Sequence, residues 1–198
     1  MYHPCLDERG QRVLIANPSS PCTPDAWADS TRVATVLPGG ARPDALGGIA
    51  FAPAALADVG ALGAVAEPPY VLPAGLRAAA GVVVVEDDGR VWLVAPTNGF
   101  GGYAATFPKG RVDPGAALQA TAVREAFEES GLVVRLQAFL VDVRRTQTYT
   151  RYYLARRVGG DPSCMGWETQ AVHLVPAALL AQVAAHGNDK AVIAALAG

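Results

Sequence analysis

The segment Arg124-Glu125-Ala126-Phe127-Glu128-Glu129-Ser130-Gly131 crowds three carboxylates into the last turns of an expected helix and stops it with glycine. Pro114–Ser130 reads as that helix, with Gly131 in the position after its end where a left-handed residue is usual. Glu125, Glu128 and Glu129 are spaced i, i+3, i+4 and share one face. Like charges at this spacing repel, and acids near a helix C-terminus oppose the macrodipole. A purely structural helix favours Lys or Arg there. The cluster makes physical sense if a hard divalent cation sits among the oxygens, since Mg²⁺ takes oxygen ligands and keeps waters and substrate phosphates in its shell. Arg124, four residues before Glu128 and adjacent to Glu125, is placed to orient a carboxylate. The plainer alternative is a solvated acidic face.

Strand signals surround this helix. Gly81–Glu86 is a β-branched run, Asp87-Asp88-Gly89 a hairpin turn and Arg90–Ala95 a second strand. Leu132–Val143, Thr148–Val158 and Ala171–Val175 read as further strands, with terminal helices over Pro176–Ala185 and Asp189–Ala197. Strands before and after a central helix predict an α/β fold, a mixed sheet in an α/β/α sandwich. Residues 1–76 differ in texture, being rich in Pro, Gly and Ala. Two short strands, Arg12–Ala16 and Arg32–Leu37, and a weak helical pattern over Pro53–Asp58 make them a small α+β extension. Glu67-Pro68-Pro69 and Pro73 mark its end, so the expected division is 1–76 and 77–198. The extension is expected to form either a dimerisation element, giving a homodimer, or a wall of the substrate pocket.

Composition excludes several classes. Charged residues are 17% and the formal charge is −2, so no broad basic surface for a nucleic-acid polymer is expected. No apolar run approaches membrane-spanning length. Met1–Gly10 carries Pro4, Asp7 and Glu8 in place of a basic stretch followed by an apolar one, so no signal peptide is expected and the location reads as cytoplasmic. Cys5, Cys22 and Cys164 are scattered and read as reduced thiols. His3, His173 and His186 are isolated, which disfavours a zinc or His-based mechanism.

Gly110 through Leu132 resembles the Nudix box, a 23-residue signature that opens on Gly and closes on Arg-Glu-apolar-any-Glu-Glu-any-Gly-apolar. Gly110, Arg124, Glu125, Ala126, Glu128, Glu129, Gly131 and Leu132 fall at its positions. One position departs: the first Glu of the family's pattern is Ala116 here, and Asp113 is the nearby candidate to replace it. The resemblance implies a Nudix α/β/α sandwich and a hydrolase that cleaves a phosphoanhydride by metal-activated water. It implies Mg²⁺, with Mn²⁺ as an alternative, held by Glu125, Glu128, Glu129 and the carbonyl of Gly110. The base is either a box Glu or an acid in the loop before the last strand, where Glu168 stands.

Phe107-Pro108-Lys109-Gly110 is similar to the start of the box in the dinucleoside-polyphosphate and diphosphoinositol-polyphosphate branches, and Lys109 can meet phosphate as a point charge. Tyr149 lies at an offset that resembles the dinucleoside-polyphosphate branch and is a candidate for stacking on the substrate. Arg144, Arg145 and Arg151 either bind further phosphates or solvate a strand pair. The Gly-rich loop Thr97–Tyr103 is either a substrate lid or a plain connection. The expected substrate is a small nucleotide, a dinucleoside polyphosphate first and ADP-ribose or a nucleotide sugar second. A sensor that binds such a metabolite without turnover is the competing class.

Overall fold

The computed structural model describes residues 1–55, 57 and 64–198. The valine run becomes β6 (Arg77–Val85) and its partner β7 (Val91–Pro96). The turn between them closes with Glu86 N–H on the Arg90 carbonyl at 2.9 Å and Gly89 N–H on the Glu86 carbonyl at 3.0 Å. Gly89 has φ +81°, a conformation that glycine adopts without strain. The two strands share only the pairs Val84↔Trp92 and Val85↔Val91 before they diverge. Into the opening comes β8 (Lys109–Arg111), antiparallel to β6. Gly81 permits this approach, because a Cβ there would fall 2.5 Å from the Pro108 carbonyl oxygen.

On its other edge β6 runs parallel to β10 (Thr148–Gly160), which pairs antiparallel with β9 (Leu132–Arg144). Strand β7 continues beside β11 (Thr169–Val175), and β3 (Ala34–Val36) closes that side. The result is a seven-stranded mixed sheet in the order β3-β11-β7-β6-β10-β9, with β8 attached to β6.

Alternation along the strands sorts side chains into two layers. Val82 and Val84 join Trp92, Val94, Leu132, Val134 and Tyr153 beneath the helix α1 (Leu118–Ser130), which contributes Ala122, Val123 and Ala126. Val83, Leu93, Phe107, Val143 and Tyr152 face the other way, where α2 (Leu180–Val183) and α3 (Lys190–Ala197) cover them with Leu180 and Val192. This is the α/β/α sandwich that the sequence led one to expect. Helix α1 begins at Leu118 and not at the expected Pro114, because Gly115 has φ +81° and breaks the helical path. The expected helix over Pro176–Ala185 resolves into a 3₁₀ turn, Ala177–Leu179, and one α turn. No helix among the described residues is long and apolar enough to cross a membrane.

The first 76 residues are more closely joined to the sheet than their composition implied. The hairpin of β1 (Tyr2–Leu6) and β2 (Arg12–Leu14) precedes a 3₁₀ turn, Pro24–Trp27, and β3 enters the main sheet. A small hairpin follows, β4 (Ala45–Leu46) with β5 (Ile49–Ala50). Trp27 and Phe51 pack around Trp92, with ring centroids 6.0 to 6.2 Å apart. Gln119 of α1 exchanges two hydrogen bonds with the backbone of Val65. The expected helix over Pro53–Asp58 includes residues 56 and 58, which lie outside those described; Pro53–Ala55 form no regular element. Among the described residues, contacts therefore cross the sequence boundary at 76/77.

Candidate active site

The end of α1 is built to carry a loop. Gly131 takes φ +69° and its N–H returns to the Phe127 carbonyl at 2.7 Å, ending the helix. The Glu128 carbonyl, one of the orphans of the last turn, accepts Gly166 N–H at 2.8 Å. A Cβ on Gly166 would sit 2.5 Å from that oxygen, so glycine is what allows the contact. Two residues on, the Glu168 carbonyl accepts Thr97 N–H at 2.7 Å, and the Trp167 carbonyl accepts the Thr97 hydroxyl at 2.8 Å. The loop before β11 is thus fixed to both the acidic helix and the Gly-rich loop.

Glu125 packs against Gly110 of β8, and Glu129 meets the neighbouring Lys109 amide. A Cβ at Gly110 would lie 2.1 to 2.2 Å from the carboxyl atoms of Glu125, so the missing side chain makes the space that this buried carboxyl fills. Lys109 N–H donates to Glu129 Oε2 at 2.7 Å. Arg124 reaches Glu128 Oε2 at 2.6 Å, Glu125 Oε1 at 2.8 Å and Asp113 Oδ2 at 3.3 Å. Burial, with Glu129 as the next cause, pushes the Glu125 carboxyl up to about 8 although Arg124 opposes the rise. Burial likewise pushes Glu129 up to about 7 against Lys109. Loss of surrounding water and the nearby Glu8 and Glu128 raise Glu168. Among the described residues no three His, Cys, Asp or Glu side chains already stand at ligand spacing. Arg124 and the Lys109 amide hold the box carboxylates in separate hydrogen bonds. The donor set is nevertheless hard oxygen and short of positive charge, which is the chemistry a divalent ion requires.

A cavity of about 730 Å³ opens beside this cluster and is lined by Lys109, Gly110, Arg111, Glu129 and Glu168 among others. Arg145 also reaches it, but its guanidinium is engaged, donating to the hydroxyls of Tyr152 and Tyr103 at 2.6 and 2.8 Å and to Asp189 at 3.1 Å. Two expected substrate residues do not face the cavity. Tyr149 stacks on Tyr70 with centroids 5.5 Å apart. Arg151 is buried, clamps Asp142 through two bonds of 2.7 and 2.8 Å and donates to the Pro68 carbonyl at 2.8 Å. Strand period explains the correction: Thr148 and Thr150 look into the cavity, so Tyr149 and Arg151 look away from it.

Sequence reasoning missed Tyr103, His186 and Asn188. All three line the cavity: Tyr103 and His186 lie 4.0 Å apart, and Asn188 Nδ2 donates to the Tyr103 hydroxyl at 2.7 Å. They come from separate loops, and the only sequence signal was an aromatic in a Gly-rich stretch. Val13 of β2 lines the cavity too, so the N-terminal hairpin supplies part of its wall.

Fold and site together place an acidic helix end beside an open cavity on a mixed α/β sandwich. The NUDIX domain model matches residues 75–196, and the chain belongs to the Nudix family. It is 32% identical over 95 residues to an RNA pyrophosphohydrolase of Pseudoalteromonas atlantica, covering 46% of this chain and 51% of that protein. It is 36% identical over 92 residues to an RNA pyrophosphohydrolase of Caulobacter vibrioides, covering 46% and 50%. The chain thus spans about half the length of these curated relatives. Its fold is like that of a C. elegans Ap4A hydrolase, with a TM-score of 0.51 at 18% identity, covering 62% of this chain and 96% of that one.

Proposed function

We propose that the chain is a metal-dependent Nudix pyrophosphohydrolase acting on a small nucleotide that carries a diphosphate, a dinucleoside polyphosphate before others. The observation that carries this reading is the Gly110 cluster. Glu129 and Glu168, both with raised proton affinity, share one cavity with the cations Lys109 and Arg111, and buried Glu125 lies behind them against Gly110. Glu125, Glu128, Glu129 and the Gly110 carbonyl would hold Mg²⁺ or Mn²⁺. When bound, the ion supplies charge neutralisation on the phosphate oxygens and activation of water.

The protein's own groups do the positioning. Lys109 and Arg111 draw the diphosphate toward the acidic end, where attraction must overcome the negative charge of the carboxylates. Arg124 orients Glu125 and Glu128, and Asp113 stands as the partner that Ala116 cannot be. Glu168, with its raised proton affinity, is the candidate to accept the proton of the attacking water. The phosphoryl transition state demands little covalent chemistry from the protein, so placement and electrostatics carry the rate.

A second reading takes the substrate to be the 5′ end of an RNA, because the relatives at 32% and 36% identity are named RNA pyrophosphohydrolases. ADP-ribose or a nucleotide sugar is a third choice, and a non-catalytic sensor is the alternative that Ala116 keeps in view. One panel separates them. The protein with Mg²⁺ is given Ap4A, ADP-ribose, a UDP-sugar and a 5′-triphosphorylated RNA in ¹⁸O water. The expected result is turnover of Ap4A, with label in one product phosphate. Preference for the RNA supports the second reading; binding without turnover of any member overturns the enzyme and leaves the sensor.

A further inference from the structure

Of the aromatic residues on the cavity wall, Tyr103 and His186 are occupied with each other, their centroids 4.0 Å apart, and Trp167 is half-buried in the loop that Thr97 ties down. The Lys109 ammonium also sits 5.3 Å from the Tyr103 centroid. Tyr149, on the opposite face of its strand, is taken by Tyr70. Phe100 is different. It lines the same cavity as Lys109 and Glu129, yet the residue is 82% exposed.

Its loop is shaped to present it. Asn98, Gly99, Gly101 and Gly102 all have positive φ, between 56° and 80°, while Phe100 between them is extended. A non-glycine residue in that region is uncommon, and Asn98 is held there on three sides. Its Oδ1 accepts Ala16 N–H, its Nδ2 donates to the Leu14 carbonyl and its own N–H donates to Gln170 Oε1, each at 2.8 Å. The base of the loop is therefore tied to the N-terminal hairpin and to β11, and the apolar ring is held out at the cavity wall. A solitary exposed apolar side chain is ordinary on a protein surface. One fixed in this way, in a cavity that already holds the cationic and acidic groups, is an open flat face beside a phosphate site.

We propose that Phe100 is the platform on which the nucleobase of the substrate stacks, forming a base subsite at the mouth of the cavity. This rests on the nucleotide reading of the site. Aromatic stacking tolerates any base, because each presents a π face. The subsite accordingly gives affinity for nucleotides over base-free phosphates with little choice among bases, and the N-terminal hairpin contributes by fixing Asn98.

The test uses the full chain as wild type, Phe100→Ala and Phe100→Trp, with AMP and ribose 5-phosphate as probes in calorimetric titration. Removal of a stacking platform is expected to weaken AMP about 5- to 100-fold. Ribose 5-phosphate should stay within about twofold, Phe100→Trp should restore AMP binding, and AMP and GMP should respond alike. For Ap4A, KM should rise by the same factor with kcat unchanged. Phe100 is exposed, so the thermal midpoints of these variants should match wild type. AMP affinity within twofold of wild type in Phe100→Ala overturns the platform even if the enzyme turns over nucleotides. A Phe100-dependent AMP affinity in a protein that hydrolyses no phosphoanhydride supports the platform while the enzymatic reading falls.

Discussion

Two regions of the molecule bury a glutamate, and they treat it in opposite ways. Glu86, 8% exposed, lies in the turn between β6 and β7. Its carboxylate accepts Trp92 Nε1–H and Arg157 Nε–H, both at 2.6 Å, and Arg157 Nη2–H at 3.2 Å. Arg157 spends its remaining donors on the Leu46 and Ile49 carbonyls, which binds the β4–β5 hairpin to the sheet. Glu125, 6% exposed, has among the described residues only Arg124 as a cationic partner, at 2.8 Å, and Arg124 is shared with Glu128 and Asp113. A buried carboxylate with its full set of donors is a structural clamp. One left short of positive charge holds its proton more tightly, as burial does for Glu125, or takes up a cation.

The sharpest way to break this contrast is to neutralise each acid in turn. Glu125→Gln is expected to lower kcat on the order of 10²- to 10⁴-fold, the range for loss of a charge-stabilising or proton-transferring group. Its thermal midpoint should hold or rise, since repulsion with Glu129 is relieved. Glu86→Ala should do the reverse, costing about 3–5 kcal/mol of stability by leaving Arg157 buried without its partner. Activity per folded molecule should persist. Steady-state kinetics beside urea unfolding measures both, and equal loss of stability in the two variants would erase the distinction.

A smaller effect follows from proton linkage. Glu125 and Glu129 have folded values of about 8 and about 7 against an ordinary 4.5, so between pH 4.5 and 8 the folded state holds protons that the unfolded state has lost. Stability must then fall as pH rises through that window. His173, buried and pushed down to about 4, acts in the opposite sense below its ordinary 6.5. The clean interval is therefore pH 6.5 to 8.5, over which the metal-free protein should lose on the order of 1–2 kcal/mol. Mg²⁺ or Mn²⁺ should recover more of this at pH 8.5 than at pH 6.5, because at the lower pH the ion competes with bound protons. Unfolding curves with chelator and with metal at the two pH values read the effect; a flat response without metal would mean that the acids are already compensated.

Much of the acidic end was legible because its information is local. Gly110, Arg124 and the three glutamates fall within one loop and one helix, where spacing alone fixes the shared face. The valine run and its Asp-Asp-Gly turn gave β6 and β7 for the same reason. Other parts depend on contacts far along the chain. The missed strand β8 is three residues long and carries Lys, Gly and Arg, with no apolar alternation to announce it. Tyr103 meets Asn188 across 85 positions, so neither residue marked the cavity by itself. Residues 1–76 looked like an appendage because Pro and Gly obscure strand periodicity, yet Trp27 and Phe51 complete the core around Trp92.

The smallest expected effect concerns β10, where a single residue of register separates site from scaffold. Thr148 and Thr150 line the cavity, whereas Tyr149 and Arg151 face the segment around Glu67 and Tyr70. The period of two was readable, but which face met the cavity was decided by docking of that distant segment: the Tyr70 hydroxyl donates to the Tyr149 carbonyl at 2.6 Å across 79 positions. Tyr149→Leu keeps this backbone bond and loses only the ring pair, at a cost of about 0.5–1.5 kcal/mol. Both kcat and KM for Ap4A should stay within about twofold. A KM that rises severalfold with unchanged stability would return Tyr149 to the substrate and place the boundary between clamp and site one residue away from where the register now puts it.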